Sequence, residues 1–324
     1  MTSRRRSGLA TSVWPSVMIG TILAVASTIG GAYAGVVGSG PYTHLRPSSQ
    51  SAMLAEAIEN LETQAEKIAA RPGASCPQDF SALESSRPLR ISMFYGYDDH
   101  GGKVYDRVNA DAMSHVLTSK CLGQLSTCGF SLVARSQSAT TLVRGLAGRR
   151  VEVNLFTSSL ADEVSRNMSL VAAYRQQEKL SRAVKARFYR ELLESDVVFY
   201  MGHSRLGGSI GFDAQTGVTT LVNAVLRRPM LPVLEALRRR PTKLKIIGMF
   251  SCQSKRYFHQ DFEGANPSLS LILTTGEINY GPAEQASLGA LEAVLSKNCG
   301  HAFHESMSSA DEPDPEMTYL FRGR

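Results

Sequence analysis

The chain has 324 residues, 43% of them hydrophobic and 20% charged, with a formal net charge of +6. That balance excludes wholesale disorder and gives enough chain for one large or two small domains. Three of the positive charges are Arg4, Arg5 and Arg6, and the remainder carries only +3, so charge gives no ground for a nucleic-acid partner.

In chain order, the first predicted element is a leader. Arg4-Arg5-Arg6 precedes an uncharged stretch from Ser7 to Tyr42, apolar at its centre, with Ala32-Tyr33-Ala34 as a small-residue cleavage motif. Residues 1–34 therefore read as a secretory signal peptide, or as an uncleaved membrane anchor through residues 13–37. Either way the bulk of the chain is exported, to the periplasm or beyond, or held at the membrane. Residues 35–50 are Gly-, Pro- and Ser-rich and read as a linker. The segment 51–75 is helical: Leu54, Ile58, Leu61, Ala65 and Ile68 make a narrow apolar stripe, suited to a helix packed on the domain or to a stalk.

A domain over 76–307 follows. Strands are expected at Leu89–Tyr97, Phe130–Ala134, Val151–Phe156, Asp196–Met201, Lys245–Phe250 and Leu269–Thr274. Helices are expected over Ser165–Glu194, Leu231–Arg239 and Pro282–Ser296, and one more after the acidic tip Asp98–Gly102. Short apolar runs bounded by Gly and polar residues suit buried parallel strands. Their alternation with helices predicts a three-layer α/β/α sandwich with a mainly parallel sheet. The tail 308–324, acidic then basic, is expected to be flexible.

Two of these strands end on residues suited to covalent chemistry. His203 follows Val197-Val198-Phe199-Tyr200-Met201-Gly202, and Cys252 follows Ile246-Ile247-Gly248-Met249-Phe250-Ser251, 49 residues later. Ligands sit beyond the carboxyl ends of parallel strands, so both side chains would face one crevice, as a thiol nucleophile and its acid–base partner must. This arrangement resembles the caspase-like cysteine peptidases, which include legumain, separase and gingipain. The caspase signature is Gln-Ala-Cys, then Arg, Gln or Gly, then Gly, with its His about 50 residues upstream. Phe250-Ser251-Cys252-Gln253-Ser254 fits at the Cys and the residue after it, and departs at Ser254. Ser204 stands where that family usually has Gly. The likeness covers roughly residues 90–299.

The resemblance implies a caspase-like sheet and a peptidase in which the Cys252 thiolate attacks a peptide carbonyl and His203 protonates the leaving amine. The backbone N–H groups of Cys252 and Ser204 would hold the oxyanion. Glu277, Asn279 and Tyr280, after the last strand of that series, are expected to shape the substrate pocket. The partner is a peptide or protein substrate, with no cofactor and no metal. A catalytically inactive binding or scaffold domain is the non-enzyme alternative. A third reading makes Ser204 the nucleophile of an α/β-hydrolase, because Gly202-His203-Ser204-Arg205-Leu206 approaches G-x-S-x-G. His301 or His304 and Asp261 would then complete a triad.

With Cys252 set aside, Cys76, Cys121, Cys128 and Cys299 remain. An even remainder in an exported chain reads as two disulfides with three possible connectivities. The favoured one staples Cys121 to Cys128 and clasps Cys76 to Cys299.

Overall fold

The structure is a computed structural model that describes residues 50–71, 75–84, 88–97, 105–161, 167–239, 241–307 and 317–320. The leader, nearly all of the expected linker and the acidic tip Asp98–Gly102 lie outside the described residues.

Eight strands form one sheet: β1 Leu89–Tyr95, β2 Ser131–Arg135, β3 Ala139–Leu146, β4 Arg149–Thr157, β5 Val197–Met201, β6 Ile246–Phe250, β7 Ser270–Thr274 and β8 Met317–Leu320. The spatial order is β2-β3-β4-β1-β5-β6-β7-β8. From β4 to β7 every pairing is parallel, while β2, β3 and β4 form an antiparallel meander and β8 pairs antiparallel with β7. The helices are α1 Gln50–Ala70, α2 Tyr105–Thr118, α3 Leu170–Glu194, α4 Gly217–Leu226, α5 Leu231–Arg238, α6 Ser254–Ala265, α7 Tyr280–Ser296 and α8 Gly300–Met307.

The apolar runs make a three-layer α/β/α sandwich because successive strand residues point to opposite faces. Leu89, Ile91, Met93 and Tyr95 of β1, with Val197, Phe199 and Met201 of β5, enter one core beneath α1, α2, α7 and α8. Phe94, Val198, Tyr200, Ile247 and Met249 enter the other, beneath α3, α5 and α6. Gly248 is required at the centre of β6. A Cβ there would come within 2.8 Å of the Phe199 ring and 2.9 Å of Phe250, which meet edge to face at 5.5 Å.

Helix α1 is not a free stalk. Met53, Leu61, Ala65 and Ile68 are buried, and the helix packs on α2 and α7. Disulfides join Cys121 to Cys128 and Cys76 to Cys299, with Cα atoms 5.0 and 5.6 Å apart. Among the described residues no helix is long and apolar enough to cross a membrane.

The structure differs from the sequence reading in three places. The hairpin β3–β4 adds a strand that the reading lacked. Its two-residue loop, Ala147-Gly148, has positive φ at both positions (49° and 73°), the geometry that matches the twist of antiparallel strands. Helices α4, α6 and α8 were likewise not anticipated. Finally, the tail 308–324, expected to be flexible, contributes the edge strand β8, because the free edge of β7 offers a full row of main-chain partners at Met317–Leu320.

Candidate active site

Parallel pairing sets the site. Met201 of β5 pairs with Phe250 of β6, so His203 and Cys252 each stand two residues past a matched pair at the carboxyl edge. The neighbouring strand β1 is the sheet's switch point, since the chain runs from it to β4 on one side and later to β5 on the other. A cavity of about 600 Å³ opens past the ends of β5 and β6, and both His203 and Cys252 line it.

The loop carrying His203 is fixed from below. Gly202, at φ 155°, approaches Gly96 so closely that a Cβ would lie 3.0 Å from the Gly96 Cα and 2.6 Å from the Tyr200 hydroxyl. That hydroxyl donates to the His203 carbonyl at 3.0 Å and accepts from the Gly211 N–H at 2.9 Å. The imidazole is held from the side: His203 Nε2 and Tyr280 Oη are hydrogen-bonded at 3.0 Å, with the rings edge to face at 5.8 Å. Tyr280 is in turn stacked on Tyr105, 5.3 Å away and 11° from parallel.

Cys252 sits on a strand–turn–helix junction. Gln253 adopts the left-handed conformation at φ 51°, and α6 begins at Ser254. Ser254, the departure from the caspase signature, has a structural explanation. It is fully buried, its hydroxyl donates to the Met249 carbonyl at 2.7 Å, and the Thr274 N–H donates to that hydroxyl at 2.8 Å. The Gln253 N–H is bound by the Gly276 carbonyl at 2.6 Å, and the Thr274 hydroxyl donates to the Ser251 carbonyl. The turn is thus anchored to the end of β7.

The Cys252 thiol is the one free cysteine among the described residues, half-buried, and it donates to the Ile278 carbonyl at 3.5 Å. No hydrogen bond joins it to His203. Such contacts are often absent in an empty site and form with substrate. Among the described residues, the main-chain N–H groups of Cys252 and Ser204 have no hydrogen-bond partner.

Of the expected pocket residues, Asn279 and Tyr280 line the cavity. Glu277 does not: it lies exposed in the loop before α7. The acidic residue of α7 that reaches the cavity is Glu284, one helical turn past Tyr280 on the same face of the helix. Glu284 is 2% exposed, and burial holds its carboxyl well above the usual carboxylate range. Sequence reasoning missed it. Its signal was an acid among the small and apolar residues of the first turns of α7, four residues past Tyr280. Helix α1 was expected, but its place at the cavity was not: Met53, Ala57, Asn60 and Leu61 roof it.

Ser204 is buried and does not line the cavity. It leads into a single 3₁₀ turn, Arg205–Gly207, and loop, not into a helix. Asp261 is paired with Arg227 at 2.5 Å on α6, beneath one face of the sheet, whereas α8, which carries His301 and His304, packs on the other. The Ser-His-Asp set of the hydrolase reading is not assembled. Among the described residues no group of three or more His, Cys, Asp or Glu could hold a metal ion. Set against protein-family models, curated proteins and solved structures, the chain matches none of them.

Proposed function

We propose that this protein is an exported cysteine peptidase of caspase-like design, with Cys252 as nucleophile and His203 as its acid–base partner. One observation carries the reading: His203 and Cys252 stand at equivalent positions past the paired residues Met201 and Phe250 and line one cavity. In the reaction, the Cys252 thiol gives its proton to the imidazole and its sulfur bonds to the substrate carbonyl carbon. The Cys252 N–H, free of other partners among the described residues, donates to the developing oxyanion, an interaction whose loss typically costs ~10²–10³ in rate. The C–N bond then breaks, the imidazolium proton passes to the departing amine, and water cleaves the thioester. The Ser204 N–H is the second candidate donor. Two disulfides support an oxidising compartment and hence the exported address.

Labelling with peptidyl acyloxymethyl ketones tests the reading. Wild-type protein is expected to label at Cys252 under reducing conditions. Cys252→Ala should abolish both labelling and turnover, while Ser204→Ala should change them only mildly. An unlabelled Cys252, with no hydrolysis of a peptide library, would overturn the peptidase and favour the binding domain.

A further inference from the structure

The cavity that holds His203 and Cys252 is chemically one-sided. Among the described residues two carboxyl groups line it, Glu56 from the exposed side of α1 and Glu284 from within, and no lysine or arginine does. Other buried acids of the molecule are matched by donors. Glu191 is paired with Arg187, at 2.5 Å, and with Arg90, at 2.9 Å. Asp106 accepts through Oδ2 from the N–H groups of Ser158 and Ser159 at 3.0 and 2.8 Å, although its Oδ1 meets no donor. Glu292 accepts from Ser126 and Thr127. Glu284 has much less. The Asn109 amide, oriented so that its nitrogen faces acceptors, donates to Glu284 Oε2 at 3.3 Å, and Oε1 has no partner.

A buried polar atom left unsatisfied in a native fold asks for a reason, and a buried acid is ordinarily paired. Glu284 lines the cavity, so a partner for its carboxyl can approach from there. The cavity walls suit a cation: the stacked pair Tyr105 and Tyr280 borders the same space, and aromatic rings attract cations. The spacing suits a long side chain. Tyr280 touches His203, and Glu284 lies four residues further along α7, about 6 Å of helix rise. A chain of three or four methylenes entering beside the catalytic pair extends toward that carboxyl.

We infer that Glu284 floors a specificity subsite for the ammonium or guanidinium group of a lysine or arginine side chain, carried by the substrate residue whose carbonyl meets Cys252. The inference rests on the proposed peptidase for its placement in a substrate, and on Glu284 alone for the cation. Burial pushes the Glu284 carboxyl up, whereas an entering cation favours the carboxylate and becomes its counter-ion, any proton displaced passing to solvent.

The test uses Cys252→Ala protein, which binds without turnover, and calorimetry with matched peptides ending in arginine, lysine or citrulline, alongside free agmatine. Citrulline keeps the shape of arginine and removes its charge. The arginine peptide should bind roughly 30-fold or more tightly than the citrulline peptide, the scale for truncating one partner of a buried charge pair. Glu284→Gln, introduced into the same protein and checked by circular dichroism, should remove that preference. Equal binding of arginine and citrulline peptides to the unmutated subsite overturns the inference without any variant, so a misfolded Glu284→Gln leaves it falsifiable. So does a cation preference that survives Glu284→Gln.

The two readings fail separately. Agmatine binding that depends on Glu284, with Cys252 inert to every thiol probe, keeps the cation subsite and sinks the peptidase. Efficient labelling of Cys252 by probes with neutral side chains, equal to that by arginine probes, keeps the peptidase and sinks the subsite. If agmatine alone binds, the cation is a free amine and its placement in a peptide is overturned.

Discussion

The two ends of α7 hold the same residue type in two different states. Glu292, near the carboxyl end, is almost fully buried, and its carboxylate is the hub of a closed network. Its Oε2 accepts from the Ser126 and Thr127 N–H groups, both at 2.8 Å, and from the Thr127 hydroxyl at 2.9 Å. Those donors belong to the loop stapled by Cys121 and Cys128, whose carbonyls at Ser126 and Cys128 are held by Arg144 at 2.9 and 2.6 Å. Glu284, near the amino end, is as deeply buried, yet one of its oxygens meets no donor and the residue borders a cavity. Burial raises both carboxyls, and at Glu292 the hydrogen bonds and Arg144 oppose the rise. The contrast teaches that burial of an acid carries no function by itself. What separates architecture from a binding site is whether the fold has already supplied the donors.

Substitutions on each side can break that comparison. The largest effect is expected from Glu292→Ala, which leaves the Ser126 and Thr127 N–H groups buried and unsatisfied at about 1–3 kcal/mol each. A loss of about 3 kcal/mol in urea unfolding should follow, and a change below about 1 kcal/mol would show that the loop does not depend on this acid. Next comes the staple. Replacing Cys121 and Cys128 together by Ser releases a short loop and should cost about 2 kcal/mol. Less than that is expected when Glu292→Ala is already present, because the two changes loosen one segment and are not independent.

Glu284 should respond with the opposite sign. Its folded pKa lies above its unfolded value, so the carboxyl's contribution is fully present below the ordinary glutamate range and is lost as pH rises toward the folded pKa. Within that window the slope approaches about 1.4 kcal/mol per pH unit for one proton. Glu284→Gln removes it. The variant's stability should fall less steeply than wild type's above pH 5, and its melting temperature at pH 7 should equal or exceed that of wild type. A clear loss at pH 7 would mean that Glu284, like Glu292, is part of the architecture.

The difference between the two acids also marks where the sequence was readable. Periodicity and turn chemistry located β1, β5, β6 and β7, and from their order the three-layer sandwich and the crevice at the carboxyl edge followed. His203 and Cys252 were visible because a strand end is a fixed place, and parallel pairing brings such ends together. Residues whose role depends on what another segment supplies could not be read this way. Glu284 and Glu292 look alike along the chain and differ only because Ser126 and Thr127 reach one and not the other. Glu277 was the expected pocket acid, being nearest the strand, but helix geometry turns Glu284 toward the cavity instead. The β3–β4 hairpin escaped because Ala147-Gly148 is a weak turn signal beside Asn-Gly or Asp-Gly. Strand β8 escaped because its pairing is set by the open edge of β7 and not by its own composition.

The smallest predicted effect concerns Tyr280, which joins the Glu284 end of α7 to His203 of the proposed catalytic pair. Its hydroxyl is hydrogen-bonded to His203 Nε2 and its ring stacks on Tyr105. Tyr280→Phe keeps the ring, the stacking and the shape of the cavity wall, and removes only the hydroxyl. A single hydrogen bond of this kind is typically worth about 0.5–1.5 kcal/mol, which corresponds to roughly a two- to tenfold change in rate. If Tyr280 positions the imidazole, that change should appear in kcat on an arginine substrate, with KM and the melting temperature little altered. A rise in KM with kcat unchanged would instead assign the hydroxyl to substrate binding. An equal loss on substrates with cationic and neutral side chains would place its action on His203, whereas a loss confined to cationic substrates would place it with Glu284. The Phe variant therefore reads which of its two neighbours Tyr280 serves.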